Sequence, residues 1–473
     1  MDCKVRGGEA ETHVLLVAFA AQSHINPMLR LGQRLISKGL HVMLATTETA
    51  RQLMDKANTS STQNSIPVEF FSDGLPEDFD RTNNLDQFFD SLACHGPPNL
   101  STLIQSLSDR NATKFSCIIN NPFVPWVAHV ARDHRIPCAM LWIQPCALFA
   151  VYYRFYKRLN HFPTVTHPNT SVQLPGLPLL RRQDLPSFVL PSNPWGTIPK
   201  ALSLVFENIH EMKWVFCNSF NELEEAVVES MSELQSIMPV GPLVPPMLLG
   251  EAAEGDACVD LWKAEDGCIE WLDKQPAASV VYVSFGSFLV LSAKQMENLA
   301  WGIKKSGRPF LWVVKPPEHA AKDRTGQLPP EFLKETEEEG GGMVVRWCPQ
   351  AKVLAHPSVG GFLTHVGWNS TLEAVASGVP MICYPQWTDQ PTNAKLVTDV
   401  FDMGVRLQVG EDGVVEQEEV GRCIAEVVQG QKGVELKKKA LQWKEAARAA
   451  VRNGGSSDRN IQLFVDEIIK GTN

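Results

Sequence analysis

The sequence predicts an α/β protein in which two Rossmann-like domains face each other across a cleft. Residues 13–47 read as a strand, a loop, a helix and a second strand, which is the βαβ unit of a parallel sheet. The same alternation of apolar strands and amphipathic helices resumes after residue 260. Between the two series lies a segment, 241–260, that is rich in proline and glycine and then acidic, which is the composition of a linker.

The first βαβ unit has clear signals along its length. The run Val14 to Phe19 is continuously apolar, as a strand buried on both faces should be. Pro27 is expected in the first turn of the following helix, and Gly39 is expected just after its end. A second strand then starts at His41.

The second series repeats this pattern. The apolar strand 279–285 runs into a glycine turn, and 293–307 is an amphipathic helix that glycine closes. Strand-like runs follow at 309–314 and 342–347. We therefore expect an N-terminal domain over residues 1–240 and a C-terminal domain over 261–455, with ligands bound at the carboxyl ends of their strands.

Composition and charge exclude several classes of protein. The formal net charge of −10 lacks the basic footprint that nucleic acids and anionic membranes require. The 11 cysteines form no CxxC pair and are odd in number, which favours free thiols in a reducing compartment. No signal peptide and no apolar run long enough to span a membrane is visible, so a cytoplasmic location is expected.

Motifs for common nucleotide enzymes are missing. The sequence has no Gly-x-Gly-x-x-Gly after a strand and no Gly-x-x-x-x-Gly-Lys-Ser/Thr, which disfavours a dinucleotide oxidoreductase and a P-loop kinase or ATPase. It also has no cluster of His, Cys and Asp at metal-ligand spacing, so no metal site is predicted.

The segment 347–390 concentrates polar residues in an order that suggests a ligand. A strand at 360–364 and a helix at 371–376 flank a turn that contains Gly367, Asn369 and Ser370. Such a turn presents main-chain N–H groups and the positive end of a helix, which bind phosphate well. A capped turn without a ligand is the simpler alternative.

Other side chains of this segment suit the remaining parts of a nucleotide sugar. Glu373 lies one turn deeper than Asn369 and can accept two hydroxyl hydrogen bonds from a ribose. Trp347 can stack on a base, although a core tryptophan is the alternative. Asp389 and Gln390 follow a strand and a turn, and they offer two acceptors and an amide donor to sugar hydroxyls.

The whole segment closely resembles the C-terminal signature box of plant family-1 UDP-dependent glycosyltransferases. The similarity extends along the chain through "AAQSHINPML", "PSFVLP", "CNSFNELE", "VSFGS" and "DQPTNAKLV". It implies a GT-B fold, in which a final helix at 456–473 returns to an N-terminal domain that binds the acceptor. It also implies that UDP-glucose is the co-substrate and that no cofactor is needed. The protein is expected to be a monomer whose only other partner is a small-molecule acceptor.

The resemblance also implies a role for each matching residue. The donor-binding set comprises Ser287, Trp347, Gln350, His365, Gly367, Trp368, Asn369, Ser370, Glu373, Asp389 and Gln390. Trp347 would stack on uracil, and Gln350 and Glu373 would hold the ribose. The residues that would hold the diphosphate are His365, Asn369, Ser370 and Ser287. Trp368, Asp389 and Gln390 would hold the sugar, and the terminal glutamine goes with glucose.

His24 matches the general base of the family, and its neighbour departs from the pattern. Most members orient this histidine with an aspartate, where the present sequence has Asn121. An amide can fix the imidazole but cannot stabilise an imidazolium by charge. A carboxylic acid needs no deprotonation near pH 7, whereas a phenol with a pKa of about 10 does. Asn121 therefore favours a carboxylate acceptor.

The predicted activity is inverting transfer of glucose from UDP-glucose to a small aromatic plant metabolite. The expected acceptor is an auxin-like, benzoic or hydroxycinnamic acid, and the product a glucose ester. Two alternatives stay open. One is O- or C-glucosylation of a flavonoid or other phenol, and the other is a non-catalytic protein that binds a UDP-sugar.

Overall fold

The computed structural model describes residues 11–56, 66–81, 83–111, 113–194, 196–251, 258, 265, 267–286, 289–315 and 325–472.

The N-terminal half of the described chain forms a parallel sheet of seven strands. They are β1 (His13–Val17), β2 (His41–Thr47), β3 (Val68–Phe71), β4 (Phe115–Asn120), β5 (Cys138–Trp142), β6 (Met212–Cys217) and β7 (Met238–Pro239). The helices of this half are α1 (Gln22–Ser37), α2 (Glu48–Lys56), α3 (Leu85–Asn111), α4 (Val127–Asp133), α5 (Cys146–Tyr156), α6 (Thr197–Glu207) and α7 (Asn221–Met231). The strand order β3-β2-β1-β4-β5-β6-β7 reverses between β1 and β4, which makes that position the topological switch point.

The C-terminal half forms a second parallel sheet, with six strands in the described residues. They are β8 (Val280–Ser284), β9 (Phe310–Val313), β10 (Gly342–Val345), β11 (Val359–Thr364), β12 (Met381–Cys383) and β13 (Gly404–Arg406). The helices are α8 (Cys268–Asp273), α9 (Ala293–Lys305), α10 (Pro330–Glu339), α11 (Gln350–Ala355), α12 (Trp368–Ser377), α13 (Gln390–Asp399), α14 (Gln417–Val428), α15 (Gly430–Val451) and α16 (Ser456–Thr472). The order β10-β9-β8-β11-β12-β13 places its switch point between β8 and β11.

The last helix, α16, packs against the first sheet. Phe464 is buried, and its ring centroid lies 5.0 Å from that of Trp214 and 4.9 Å from that of Phe216. Ile461 and Val465 belong to the same apolar cluster as Val14 and Leu16 of β1. The end of the chain therefore stabilises the N-terminal domain by burying apolar surface.

Two local predictions in the first βαβ unit were wrong. The first strand ends at Val17, so Phe19 lies in the loop beyond it. The first helix already begins at Gln22, so Pro27 lies inside α1 and not in its first turn. A proline has no N–H to donate to the carbonyl four residues earlier, which is that of Ser23. That carbonyl instead accepts a hydrogen bond from the other domain.

The predicted linker is packed along its first part. Leu243, Val244 and Leu248 are buried, and residues 246–249 form a short 3-10 turn. Residues 252–257 and 259–264 lie outside the described residues. The domain boundaries at residues 240, 260 and 455 stay predictions.

Candidate active site

His24 and Asn121 meet at the switch point of the first sheet. His24 lies in the first turn of α1, after β1, and Asn121 directly follows β4, which pairs with β1. The Nδ1 atom of His24 is 2.9 Å from Oδ1 of Asn121, and both side chains are buried. Because β1 and β4 are neighbours, the topology brings together two residues far apart in sequence.

The hydrogen bonds of Asn121 define the tautomer of His24. The main-chain N–H of Phe123 donates to Oδ1 of Asn121 at 3.1 Å, so this atom must be the acceptor oxygen. His24 Nδ1 must then carry a proton, and Nε2 has the free lone pair of a neutral imidazole. Burial lowers the pKa of His24 to about 4, and the bond to Asn121 opposes this only in part.

Aromatic rings surround this imidazole. The ring centroid of His24 lies 4.7 Å from that of Phe123 and 5.3 Å from that of Phe19. Phe19 in turn stacks on Phe89 at 5.4 Å with an interplanar angle of 8°. The apolar surroundings explain why the charged form of the histidine is disfavoured, and they suit a planar aromatic ligand.

The predicted phosphate turn lies at the switch point of the second sheet, between β11 and α12. Val366 has a φ of +57°, which is strained for a β-branched residue and costs about 1–3 kcal/mol. Its N–H donates to Thr364 Oγ1 at 3.2 Å, and its carbonyl accepts from Asn393 Nδ2 at 2.9 Å. The turn leads into α12, whose N-cap residue, Gly367, forms no side-chain cap. The first amides of the helix are therefore available to an anion.

His365 lies between two glycines. A Cβ atom on Gly286 would lie 2.9 Å from the imidazole, and one on Gly367 would lie 2.5 Å from Nε2. Only glycine fits at both positions. Burial lowers the pKa of His365 to about 4, and a hydrogen bond to the main chain of Ser284 opposes this shift.

The residues predicted to hold the ribose are in contact. Gln350 Nε2 donates to Glu373 Oε2 at 2.8 Å and to Ser370 Oγ at 3.0 Å. Gln350 Oε1 accepts from the hydroxyl of Tyr282 at 3.1 Å, a contact that the sequence did not predict. Trp347 is half-buried and lies two residues beyond the carboxyl end of β10. The side chains for base, ribose and phosphate thus surround one end of the second sheet.

Asp389 and Gln390, two of the residues predicted to bind the sugar, are buried at the start of α13. Gln390 Oε1 accepts from the main-chain N–H groups of Gln386 and Trp387, at 2.9 and 3.3 Å, which leaves Nε2 as a donor. Asp389 accepts from Thr388 Oγ1 at 2.7 Å and from Asn393 Nδ2 at 2.8 Å. Burial raises the pKa of Asp389, and these two bonds oppose the shift.

Trp368 and Asn369 make contacts with the N-terminal domain that the sequence did not predict. The indole of Trp368 is buried, and its Nε1 donates to the main-chain oxygen of Asn218 at 2.6 Å. Asn369 Nδ2 donates to the Ser23 carbonyl at 2.9 Å, and this is the carbonyl that Pro27 leaves without its helix partner. Ser287 lies outside the described residues.

Comparisons with known proteins show which family the chain resembles. A family model described as "UDP-glucoronosyl and UDP-glucosyl transferase" matches residues 252–433. The chain is 44% identical over 465 residues to UDP-glycosyltransferase 84B1 of Arabidopsis thaliana, covering 97% of this chain and 98% of that protein. It is 44% identical over 470 residues to gallate 1-beta-glucosyltransferase 84A24 of Punica granatum, covering 98% and 90%.

A solved structure is similar over almost the whole chain. It is the crystal structure of Os79 from O. sativa in complex with UDP, with a TM-score of 0.84 and 33% identity over 96% of this chain and 100% of that one. The predicted GT-B fold is confirmed. The chain belongs to the UDP-glucuronosyl and UDP-glucosyl transferase family and is a UDP-glycosyltransferase.

The described residues offer neither a membrane span nor a metal-ligand cluster. None of the helices in the described part of the chain is both long and apolar enough to cross a membrane. The same residues contain no group of three or more His, Cys, Asp or Glu side chains arranged to hold a metal ion.

Proposed function

We propose that the protein transfers glucose from UDP-glucose to the carboxylate of a small aromatic acid, with inversion at the anomeric carbon, to form a glucose ester. The observation that carries this proposal is the state of His24. Its partner, Asn121, is a neutral amide, and burial lowers the pKa of the imidazole to about 4.

The energetics of proton transfer favour an acid over a phenol. Moving a proton from a phenol with a pKa of about 10 to an imidazole with a pKa of about 4 spans six units, which is roughly 8 kcal/mol. A carboxylic acid with a pKa of about 4.3 is already ionised at pH 7. Attack by the carboxylate on the anomeric carbon therefore requires no proton transfer to His24.

The reaction is a single displacement. A carboxylate oxygen attacks the anomeric carbon, the bond from that carbon to the diphosphate breaks, and its electron pair leaves with UDP. The first-turn amides of α12, with the ring of His365 beside them, stabilise the departing charge. Gln390 Nε2 and Asp389 bind the glucose hydroxyls, Gln350 and Glu373 bind the ribose, and Trp347 stacks on the uracil.

The names of the relatives support the choice of acceptor. Gallate 1-beta-glucosyltransferases of Punica granatum and Quercus robur are each 44% identical to this chain, and gallate is an aromatic carboxylate. We further propose that the protein acts in the cytoplasm, as a monomer and without a cofactor. The ten cysteines of the described residues are all free thiols, which suits a reducing compartment.

A screen of aromatic acids with UDP-glucose tests the proposal. Mass spectrometry should detect a hexose adduct that mild alkali hydrolyses, as it does an ester, and UDP should be released in equal amount. Alkali-stable adducts alone would favour a phenol acceptor, and binding of UDP-glucose without any transfer would favour a non-catalytic protein.

A further inference from the structure

A segment of the N-terminal domain, residues 182–190, contacts the C-terminal domain next to the predicted sugar site. Arg406, at the end of β13, makes two contacts with it. Nη1 of Arg406 is 2.8 Å from Oδ1 of Asp184, and Nη2 donates to the main-chain oxygen of Gln183 at 2.9 Å. Thr392 Oγ1 donates to the main-chain oxygen of Asp184 at 2.8 Å. We call residues 182–190 the docking segment.

The carboxylate of Asp184 is shielded from water, and both of its oxygens are bonded. The side chain of Asp184 is 4% exposed and that of Arg406 is 21% exposed. The second carboxylate oxygen of Asp184 accepts from the main-chain N–H of Arg181 at 3.1 Å. A buried carboxylate with both oxygens bonded holds its partners in one arrangement, because the loss of either leaves a charge unpaired.

The docking segment also holds the residue that precedes Asp389 and Gln390. The main-chain N–H of Ser187 donates to the carbonyl of Thr388 at 2.9 Å. Thr388 has a φ of +56°, which is unusual for a β-branched residue. Such a conformation persists only when its surroundings fix it, and this hydrogen bond comes from the other domain.

Asn393 connects the same site to the phosphate turn. Its Nδ2 donates both to Asp389 Oδ2 at 2.8 Å and to the carbonyl of Val366 at 2.9 Å. Val366 is the second β-branched residue with a positive φ among the described residues. A displacement of Thr388 would therefore move Asp389 first and could reach the phosphate turn through Asn393.

From these contacts we infer that the docking segment positions the sugar-binding residues, so that donor sugar selection depends on the acceptor domain through Ser187, Asp184 and Arg406. None of these three residues is proposed to contact a substrate. They are positioning residues that act through Thr388. The inference rests on the proposed function, in which Asp389 and Gln390 bind the glucose.

The sharpest test removes a single hydrogen bond. Ser187→Pro deletes the N–H that bonds to Thr388, while Ser187→Ala keeps it and serves as the matched control. Proline fits sterically, because Pro186 already has a ψ of 144°, the conformation required before a proline. We expect the kcat/KM ratio of UDP-glucose over UDP-galactose to fall about tenfold or more in Ser187→Pro. The dissociation constant of UDP and the ratio in Ser187→Ala should stay unchanged.

A second pair of variants keeps the test decisive if Ser187→Pro does not fold. Arg406→Met removes the ion pair with Asp184. Its control, Arg34→Met, removes the ion pair with Glu251, and the exposed fractions of the two arginine side chains, 26% for Arg34 and 21% for Arg406, are comparable. Only Arg406→Met should lower the donor ratio. An unchanged ratio, or a ratio that falls in step with UDP affinity, overturns the inference. A wild type that transfers no glucose overturns the proposed function instead.

Discussion

Replacement of Asn121 by aspartate changes the charge beside the base and little else. The substituted carboxylate would lie about where Oδ1 of Asn121 now lies, 2.9 Å from His24 Nδ1. An opposite charge at this distance raises a histidine pKa by about 1–3 units, or roughly 1.4–4 kcal/mol. The pKa of His24 should therefore rise from about 4 to about 5–7.

This shift should help a phenol and leave an acid almost unaffected. With a stronger base, kcat/KM for a phenol should rise by about 10- to 100-fold at pH 7. The value for an aromatic acid of matched size should stay within about threefold, because its carboxylate carries no proton to remove. The acid limb of the phenol profile should move upward by the same 1–3 units, since only the neutral imidazole can accept the proton.

The assay is UDP release, followed across pH for wild type and Asn121→Asp with both acceptors. The control repeats the comparison in a His24→Ala background, where the gain for the phenol should vanish. A wild type that strongly prefers the phenol and is indifferent to the substitution refutes the reasoning, because the charge on residue 121 would then play no part in acceptor choice.

Three further outcomes are expected. Glu373→Ala should raise the dissociation constant of UDP by about 10- to 100-fold in titration calorimetry, since it removes charged hydrogen bonds to the ribose, and an unchanged affinity would exclude that role. UDP-glucuronate and UDP-galactose should be poor donors in competition kinetics, and equal turnover of UDP-glucuronate would contradict the proposed donor. Transfer from UDP-glucose should survive a chelator, and activity restored only by Mg²⁺ or Mn²⁺ would contradict a reaction without a metal. Glu224 accepts from the main-chain N–H groups of Cys146 and Ala147 at 3.0 and 2.8 Å, so Glu224→Ala should lower the free energy of unfolding by about 2–4 kcal/mol. The exposed Glu229 on the same helix is its control, and an equal loss in Glu229→Ala would contradict this.

The sequence predicted what depends on local pattern. Apolar runs such as 280–284 are strands in the structure, and Gly39 follows the end of α1 with a positive φ, as expected. The alternation of strands and helices then implied parallel sheets, whose carboxyl ends bring His24 and Asn121 together. The phosphate turn followed from the same logic, because a strand, a tight turn and a helix form a recurring anion site.

Contacts between distant segments could not be predicted in this way. Nothing in the periodicity of Trp368 indicates that its indole binds the Asn218 carbonyl of the other domain. The same holds for the carbonyl of Ser23, which Pro27 leaves without a helix partner and which accepts a hydrogen bond from Asn369 of the other domain. Each of these depends on how two domains meet, which hydrophobic patterns do not encode.

One of the two contacts of Asn393 could have been predicted from its spacing in the sequence. It lies four residues after Asp389, one helical turn along α13, so the two side chains were bound to be neighbours. Its second bond, to the Val366 carbonyl, required the fold. An amide that follows a predicted ligand residue at helical spacing is therefore a useful marker of a positioning residue.

The most direct test of the central claim uses one acceptor that offers both groups, 4-hydroxybenzoate. The purified protein is incubated with UDP-glucose and this acid at pH 7, and the position and anomeric configuration of the glucose are determined by NMR. The neutral, buried His24 beside Asn121 predicts a β-glucose ester on the carboxylate. A glucoside on the phenolic oxygen would contradict the account.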